Sequence, residues 1–211
     1  ARSEKWWHDM WRGDRSVALY YDAQGMPRGY MIYRMAGEVM NIKEYVYLDE
    51  PSRRGLWNFM ANHDSMADQA EIVVPEHDQM PFLFFNPEVK TEIIADFMGR
   101  IVLVREFLSR YFVRVPNGES VTLGIADSSA QWNSGLYTLS AEGVGVEPLP
   151  ADGAGPSDAI HMDVNTLTAL LLGSQTLDFL HASGRIAGSA LALERLRPLL
   201  TVRRASFLDD F

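Results

Sequence analysis

The sequence predicts an α+β chain in two parts, and three observations lead there. Three strand-like runs joined by short turns come first, at Ser16–Asp22, Arg28–Met35 and Glu38–Leu48. A helix and one more strand follow, and then a stretch broken by Pro75, Pro81 and Pro87. Beyond that stretch, strand patterns resume and give way to three helical patterns before the C-terminus. The break sets a boundary near Asp96, so residues 1–95 and 96–211 are expected to be separate domains; 211 residues suffice for one large or two small ones.

The first part opens on a helix over residues 3–12. Ser3 and Glu4 suit its start, Trp6, Trp7, Met10 and Trp11 repeat at helical spacing, and Gly13 ends it. So many large aromatics on one short helix point to burial against a sheet. The turns at Ala23-Gln24-Gly25-Met26-Pro27 and Ala36-Gly37 make the three strands an antiparallel meander. The next helix is expected from Leu56 to Ala61, with Leu56, Phe59 and Met60 inward, and a strand at Glu71–Val74. The dense Phe82-Leu83-Phe84-Phe85 cluster reads as an interdomain plug, and Lys90–Ile94 as a last strand.

The second part starts with a strand at Phe97–Val104 and a helix at Arg105–Tyr111 with Phe107 and Leu108 inward. Strands Ser120–Ala126 and Leu136–Ser140 flank a polar loop, Asp127 to Gly135, built around Trp132. Pro148–Pro156 is Gly/Pro/Ala-rich and predicts a mobile surface loop. Ala159–Met162 is a strand, after which Asp163 caps a helix stopped by Gly173. A helix around Leu177, Phe179 and Leu180 stops at Gly184, and Ser189 begins the last one, with Leu191, Leu193 and Leu196 inward.

Composition narrows the chemistry. Hydrophobic residues make up 47% and charged residues 22%, enough for a real core. The chain has no cysteine, which excludes disulfides, thiolate zinc sites and thiol catalysis. A formal net charge of -9 makes nucleic acid a poor partner and cationic small molecules better ones. No apolar run is long enough for a membrane span, so no membrane partner is expected. The histidines do not fall at metal-ligand spacing, and no Gly-x-Ser-x-Gly elbow occurs, so neither a metal nor a hydrolase nucleophile is expected. His63-Asp64-Ser65 reads as helix-end capping.

Three antiparallel strands, a helix and a further strand follow the order of half a GNAT N-acetyltransferase domain. In that fold the turn before the helix carries Arg/Gln-x-x-Gly-x-Gly/Ala, whose backbone amides hold the pyrophosphate of acetyl-CoA. Here the turn reads Ser52-Arg53-Arg54-Gly55-Leu56-Trp57. One glycine survives, and Leu56 and Trp57 would crowd the phosphate, so this half-domain is expected to resemble the fold without holding the cofactor.

Further segments carry a closer resemblance: Glu4-Lys5-Trp6-Trp7, Ala18 to Asp22, Gly29 to Arg34, Arg53 to Phe59 with His63 to Met66, Gln131 to Gly135, and Gly184-Arg185-Ile186. In this order they resemble the enhanced intracellular survival (Eis) family of N-acetyltransferases over nearly the whole chain. The resemblance implies a three-part protein, consisting of a catalytic GNAT domain that binds acetyl-CoA, a second GNAT-like domain that has lost it, and a sterol carrier-like domain that closes the acceptor pocket. By that comparison residues 1–95 are a truncated GNAT-like antiparallel sheet, residues 96–211 the sterol carrier-like domain, and the catalytic domain, its acetyl-CoA site and its tyrosine acid lie outside this sequence. The opening Ala1, which is not an initiator Met, fits an internal start.

The resemblance also implies site residues. The family uses its C-terminal carboxylate as general base, which here is the group on Phe211. Asp209 and Asp210 would attract cationic amines such as polyamines or aminoglycosides, and Met98 and Arg100 lie in the stretch Phe97-Met98-Gly99-Arg100 that resembles the acceptor-lining segment. The expected setting is a cytoplasmic homo-oligomer working with the missing catalytic domain. Two other readings stay open, a carrier of hydrophobic ligands such as lipids or sterols, and an assembly scaffold.

Overall fold

The computed structural model describes residues 2–10, 13–86, 88–95, 97–112, 115–150, 155–201 and 204–206. They form two compact units, one ending at Phe82 and one beginning at Leu83. The expected boundary at 95/96 lies 13 residues beyond that division.

In the first unit α1 (Glu4–Met10) starts where Ser3 Oγ accepts from the Trp6 amide at 3.1 Å, the cap read from the sequence. Trp11 lies outside the described residues. Strands β1 (Ser16–Tyr21), β2 (Pro27–Ala36) and β3 (Val39–Tyr47) form the antiparallel meander. The β1–β2 turn is held by Asp22, whose Oδ1 accepts from the Gln24 and Met26 amides at 3.0 and 2.9 Å. Helix α2 (Glu50–Ala61) then crosses the sheet, and β4 (Gln69–Ile72) returns parallel to β3. Met31, Ile32, Met40, Ile42 and Leu56 are all but inaccessible to solvent and make the core. Burying side chains of this size favours folding by roughly 1.5–3 kcal/mol each.

The second unit has helix α3 (Val104–Tyr111) and a sheet in the order β7-β6-β5-β8, made of β5 (Ser120–Ala126), β6 (Gly135–Ser140), β7 (Gly143–Glu147) and β8 (Ile160–Asp163). β5 pairs antiparallel with β6 and parallel with β8. Helices α4 (Val164–Leu171), α5 (Leu177–Ala182) and α6 (Ala190–Leu196) complete it, each started by a side-chain cap from Asp163, Thr176 or Ser189. The buried faces of β5, β6 and β8 meet Leu108, Leu167, Leu180 and Leu193 in one core.

The α+β class stands as expected. Several elements do not. Residues 97–103 make no strand ladder, because their hydrogen bonds go to side chains instead, and Lys90–Ile94 is not a strand. Helix α2 starts six residues earlier than expected, at Glu50, because Asp49 caps it. Strand β7 was missed, as its Gly-Val-Gly-Val-Glu run lacks bulky alternation. Leu191 faces solvent rather than the core, and Phe82 and Phe85 are exposed.

Candidate functional site

In sheets with parallel strands, ligands sit in the crevice at the strands' carboxyl ends. The first unit has one such β–α–β unit, β3–α2–β4. Its strands pair only from Val39 opposite Gln69 to Ile42 opposite Ile72. Beyond that they part, and Lys43 to Tyr47 face Val73, Val74, Pro75 and Asp78 across a pocket of about 150 Å³. Helix α1 and its lead-in supply the remaining wall with Arg2, Trp6 and Met10. Arg2 forms an ion pair with Glu44 of β3, and its guanidinium lies 3.9 Å above the Trp6 ring. Burial, and next the Glu44 carboxylate, raise the Tyr30 hydroxyl above its ordinary pKa. The protein's own cation and aromatic rings thus line the wedge.

The N-terminus of α2 stands at the same end of β3. A free helix start offers unpaired amides and partial positive charge to an anion. Here Asp49 Oδ1 accepts from the Ser52 amide at 3.0 Å, and Ser52 Oγ accepts from the Asp49 amide at 3.2 Å, a reciprocal capping box. Arg28 Nε holds the same carboxylate at 2.9 Å. Glu50 binds Arg53 and Arg54 at 2.7 and 2.9 Å, and these bonds, that of Arg53 first, hold its carboxyl at about 2. Asp49 is likewise lowered, chiefly by the Ser52 hydroxyl. A pyrophosphate at this helix start would meet two ionised carboxylates that already hold the three nearby arginines.

The expected phosphate turn is therefore corrected. Arg53, Arg54 and Gly55 lie inside the helix, Leu56 points into the core, and Trp57 packs partly buried beside it. Gly55 has a packing reason to be glycine, since a Cβ there would stand 2.2 Å from the Tyr20 ring of β1. The overlooked signal was Asp49-x-x-Ser52 around Pro51, a helix start three residues ahead of the glycine motif.

In the second unit, Arg100 Nη2 reaches both carboxylate oxygens of Asp127 at 2.7 Å. Asp127 is buried and also accepts from Asn133 Nδ2 at 3.0 Å and from the Ser129 and Ala130 amides at 3.0 and 2.9 Å. The Asn133 bond first, with Arg100 and the two amides, holds its carboxyl at about 2 against the opposing effect of burial. Asn133 also donates to the Val102 carbonyl at 3.0 Å and accepts from the Val104 amide at 3.0 Å. Residues 100–104 are thereby fastened to the loop after β5.

The sequence-predicted residues divide accordingly. Met98 is almost fully exposed, and Arg100 is half-exposed with one guanidinium nitrogen on Asp127. Asp209, Asp210 and Phe211 lie outside the described residues. The root of their tail is described. The Ala205 amide donates to the Leu172 carbonyl at 2.8 Å, and Leu172 Cδ1 lies 3.1 Å from where a Cβ on Gly99 would be. Leu172, at the end of α4, thus joins the 97–100 stretch to the stem of the tail. Sequence reading missed Asp127 and Asn133. Their polar loop was visible, but nothing in it signals a partner 27 residues upstream.

Residues 1–101 match the family described as acetyltransferase (GNAT) domain, and residues 104–208 the family described as sterol carrier protein domain. No curated protein matches the chain. Among solved structures, a conserved protein from Enterococcus faecalis described as a probable N-acyltransferase is 28% identical, with a TM-score of 0.79 over 94% of this chain and 51% of that one. Eis1 from Mycobacterium abscessus is 20% identical, with a TM-score of 0.66 over 87% of this chain and 48% of its own. A GCN5-related N-acetyltransferase from Anabaena variabilis is 22% identical, with a TM-score of 0.67 over 92% and 51%. At their identities the latter two share the fold. The chain spans about half the length of the solved structures it matches. It carries a GNAT acetyltransferase domain followed by a sterol carrier protein domain.

Proposed function

We propose that this chain is the acceptor-side half of an Eis-like, acetyl-CoA-dependent N-acetyltransferase, and that a second GNAT domain holds the cofactor. The observation that carries the reading is the capped helix start, where Asp49 and Ser52 bind each other's amides and Glu50 holds Arg53 and Arg54. The residues of this GNAT domain do not fit acetyl-CoA, so no acetyl transfer is assigned to them. The acceptor is a cationic amine, in keeping with the net charge of -9. Asp209 and Asp210 attract it, Met98 and the open edge of Arg100 border it, and, where Phe211 ends the chain, its carboxylate takes the amine proton. A free α-carboxyl titrates at about 3.3–3.7, so that role needs burial and neighbouring acids to raise it.

Calorimetric titration tests the reading. Acetyl-CoA binds at one site on the complete protein and gives no heat with this chain. Micromolar binding at one site on this chain overturns it. The sterol carrier protein domain favours a second reading, transport of a hydrophobic ligand. Displacement of a fluorescent fatty-acyl probe from this chain, with no amine acetylation by the complete protein, would select that reading instead.

A further inference from the structure

We infer that Val102, Leu103 and Trp132 form a preorganised docking patch for the cofactor-holding GNAT domain. The inference rests on the function proposed above and names the surface that function requires. Three observations on the second unit carry it.

First, the side chains face solvent. Trp132 is 69% exposed, Val102 61% and Leu103 52%. A connecting segment between domains is ordinarily polar, and clustered exposed apolar side chains mark an interaction site. Second, the backbone beneath them is tied down on all sides. Ile101 N–H donates to Thr168 Oγ1 at 3.2 Å, Val104 N–H to Asn133 Oδ1 at 3.0 Å, and the Val102 carbonyl accepts from Asn133 Nδ2 at 3.0 Å and from Trp132 Nε1 at 3.2 Å. Trp132 is thus joined to Val102, and the patch is one surface rather than scattered residues. A loose linker would have no use for these bonds, whereas holding apolar groups outward in a fixed shape lowers the ordering cost of binding. Third, Trp is the residue type most enriched where binding energy concentrates.

The occupant follows from length and from the closed cleft. The solved structures matched by this chain run to about twice its length, so each holds a further stretch of similar size. The GNAT domain described here is closed to the cofactor at its helix start, so the partner that completes an acyltransferase is the domain that holds it.

The chain lacks cysteine, so single thiols report cover directly. Val102→Cys, Leu103→Cys and, as a control in the sheet edge turn, Gln24→Cys are made in this chain and in the complete protein. Maleimide labelling is followed by peptide mass spectrometry. Positions 102 and 103 are expected to react at least tenfold more slowly in the complete protein, while position 24 changes less than twofold. Equal rates at 102 and 103 in both proteins overturn the inference. So does protection that appears in this chain alone as its concentration rises, with a dimer in sedimentation, because a second copy is then the occupant. Failure of the underlying function reads differently, since the thiols are then protected in a complete protein that acetylates no amine.

Discussion

Replacing Asn133 by Ala removes the joint between the loop after β5 and residues 100–104. Three hydrogen bonds disappear at 3.0 Å each, from Asn133 Nδ2 to Asp127 and to the Val102 carbonyl, and from the Val104 amide to Asn133 Oδ1. The Val104 amide is buried at the first turn of α3, where no helix carbonyl serves it, and leaving it unpaired costs about 1–3 kcal/mol. The Val102 carbonyl retains Trp132, and Asp127 retains Arg100 and two amides, so those losses stay near the ordinary net value of ~1 kcal/mol each. The expected destabilisation of the second unit is about 3–5 kcal/mol. Urea unfolding followed by circular dichroism measures it, and hydrogen exchange by mass spectrometry assigns it to peptides 97–112 and 120–140. Trp132→Phe, which removes one bond at an exposed site, serves as the mild comparison, at about 0.5–1 kcal/mol. A loss under ~0.5 kcal/mol for Asn133→Ala, with unchanged exchange at Val104, would refute the clamp.

Acid gives an independent reading of the same network. The carboxyl of Asp127 is depressed to about 2 in the folded chain, so its stabilising effect is complete above the unfolded value near 3.9 and is lost as pH falls from about 4 to about 2. Urea midpoints at pH 6, 4, 3 and 2.5 should fall across that window, and fall less in Asn133→Ala, which lacks the main cause of the depression. Gly55→Ala combines a helix gain of about 1 kcal/mol with an overpacking cost of about 1–3 kcal/mol against Tyr20. It should destabilise alone and stabilise in a Tyr20→Ala background, a double-mutant cycle that additive free energies would contradict. If the proposed function holds for the complete protein, Asp209→Asn and Asp210→Asn raise KM for a polyamine several-fold with kcat within twofold, and a fall in kcat at unchanged KM would count against an attracting role. Where Phe211 ends the chain, one appended residue moves its carboxylate by about 3.3–3.6 Å. Turnover should then fall on the order of 10²-fold, and full turnover would remove Phe211 from catalysis.

The meander was legible because its signals are local. Alternation in Val17 to Tyr21 and Met40 to Val46, with glycine turns between, needs no distant partner to be read. The helix caps at Asp163 and Ser189 were legible for the same reason. Residues 97–103 were not. Val102 and Leu103 read as strand by composition, but a strand requires a ladder, and the bonds here go to Thr168, Asn133 and Trp132. Those partners lie 29 to 67 residues away, where periodicity carries no information. Leu191 failed differently, because the apolar face of a short helix leaves the side chains at its margin open to solvent.

The surviving glycine in Arg53-Arg54-Gly55 shows why a phosphate motif has to be judged by what precedes it. Glycine admits a close approach, but it does not say of what. In a phosphate turn the approaching group is the ligand; here it is the Tyr20 ring, and the position is inside a helix. The decisive residues are Asp49 and Glu50. A helix start with a neutral residue and free amides attracts an anion, whereas here Asp49 already takes the Ser52 amide and two carboxylates stand where a phosphate would bring more negative charge. With Arg2 paired to Glu44 and lying on Trp6 in the neighbouring wedge, both parts of the cleft are occupied by the chain's own groups. Such a domain keeps the β–α–β frame as a scaffold. Restoring an anion site would take removal of Asp49, which caps the Ser52 amide and holds Arg28, and of Glu50, which holds Arg53 and Arg54.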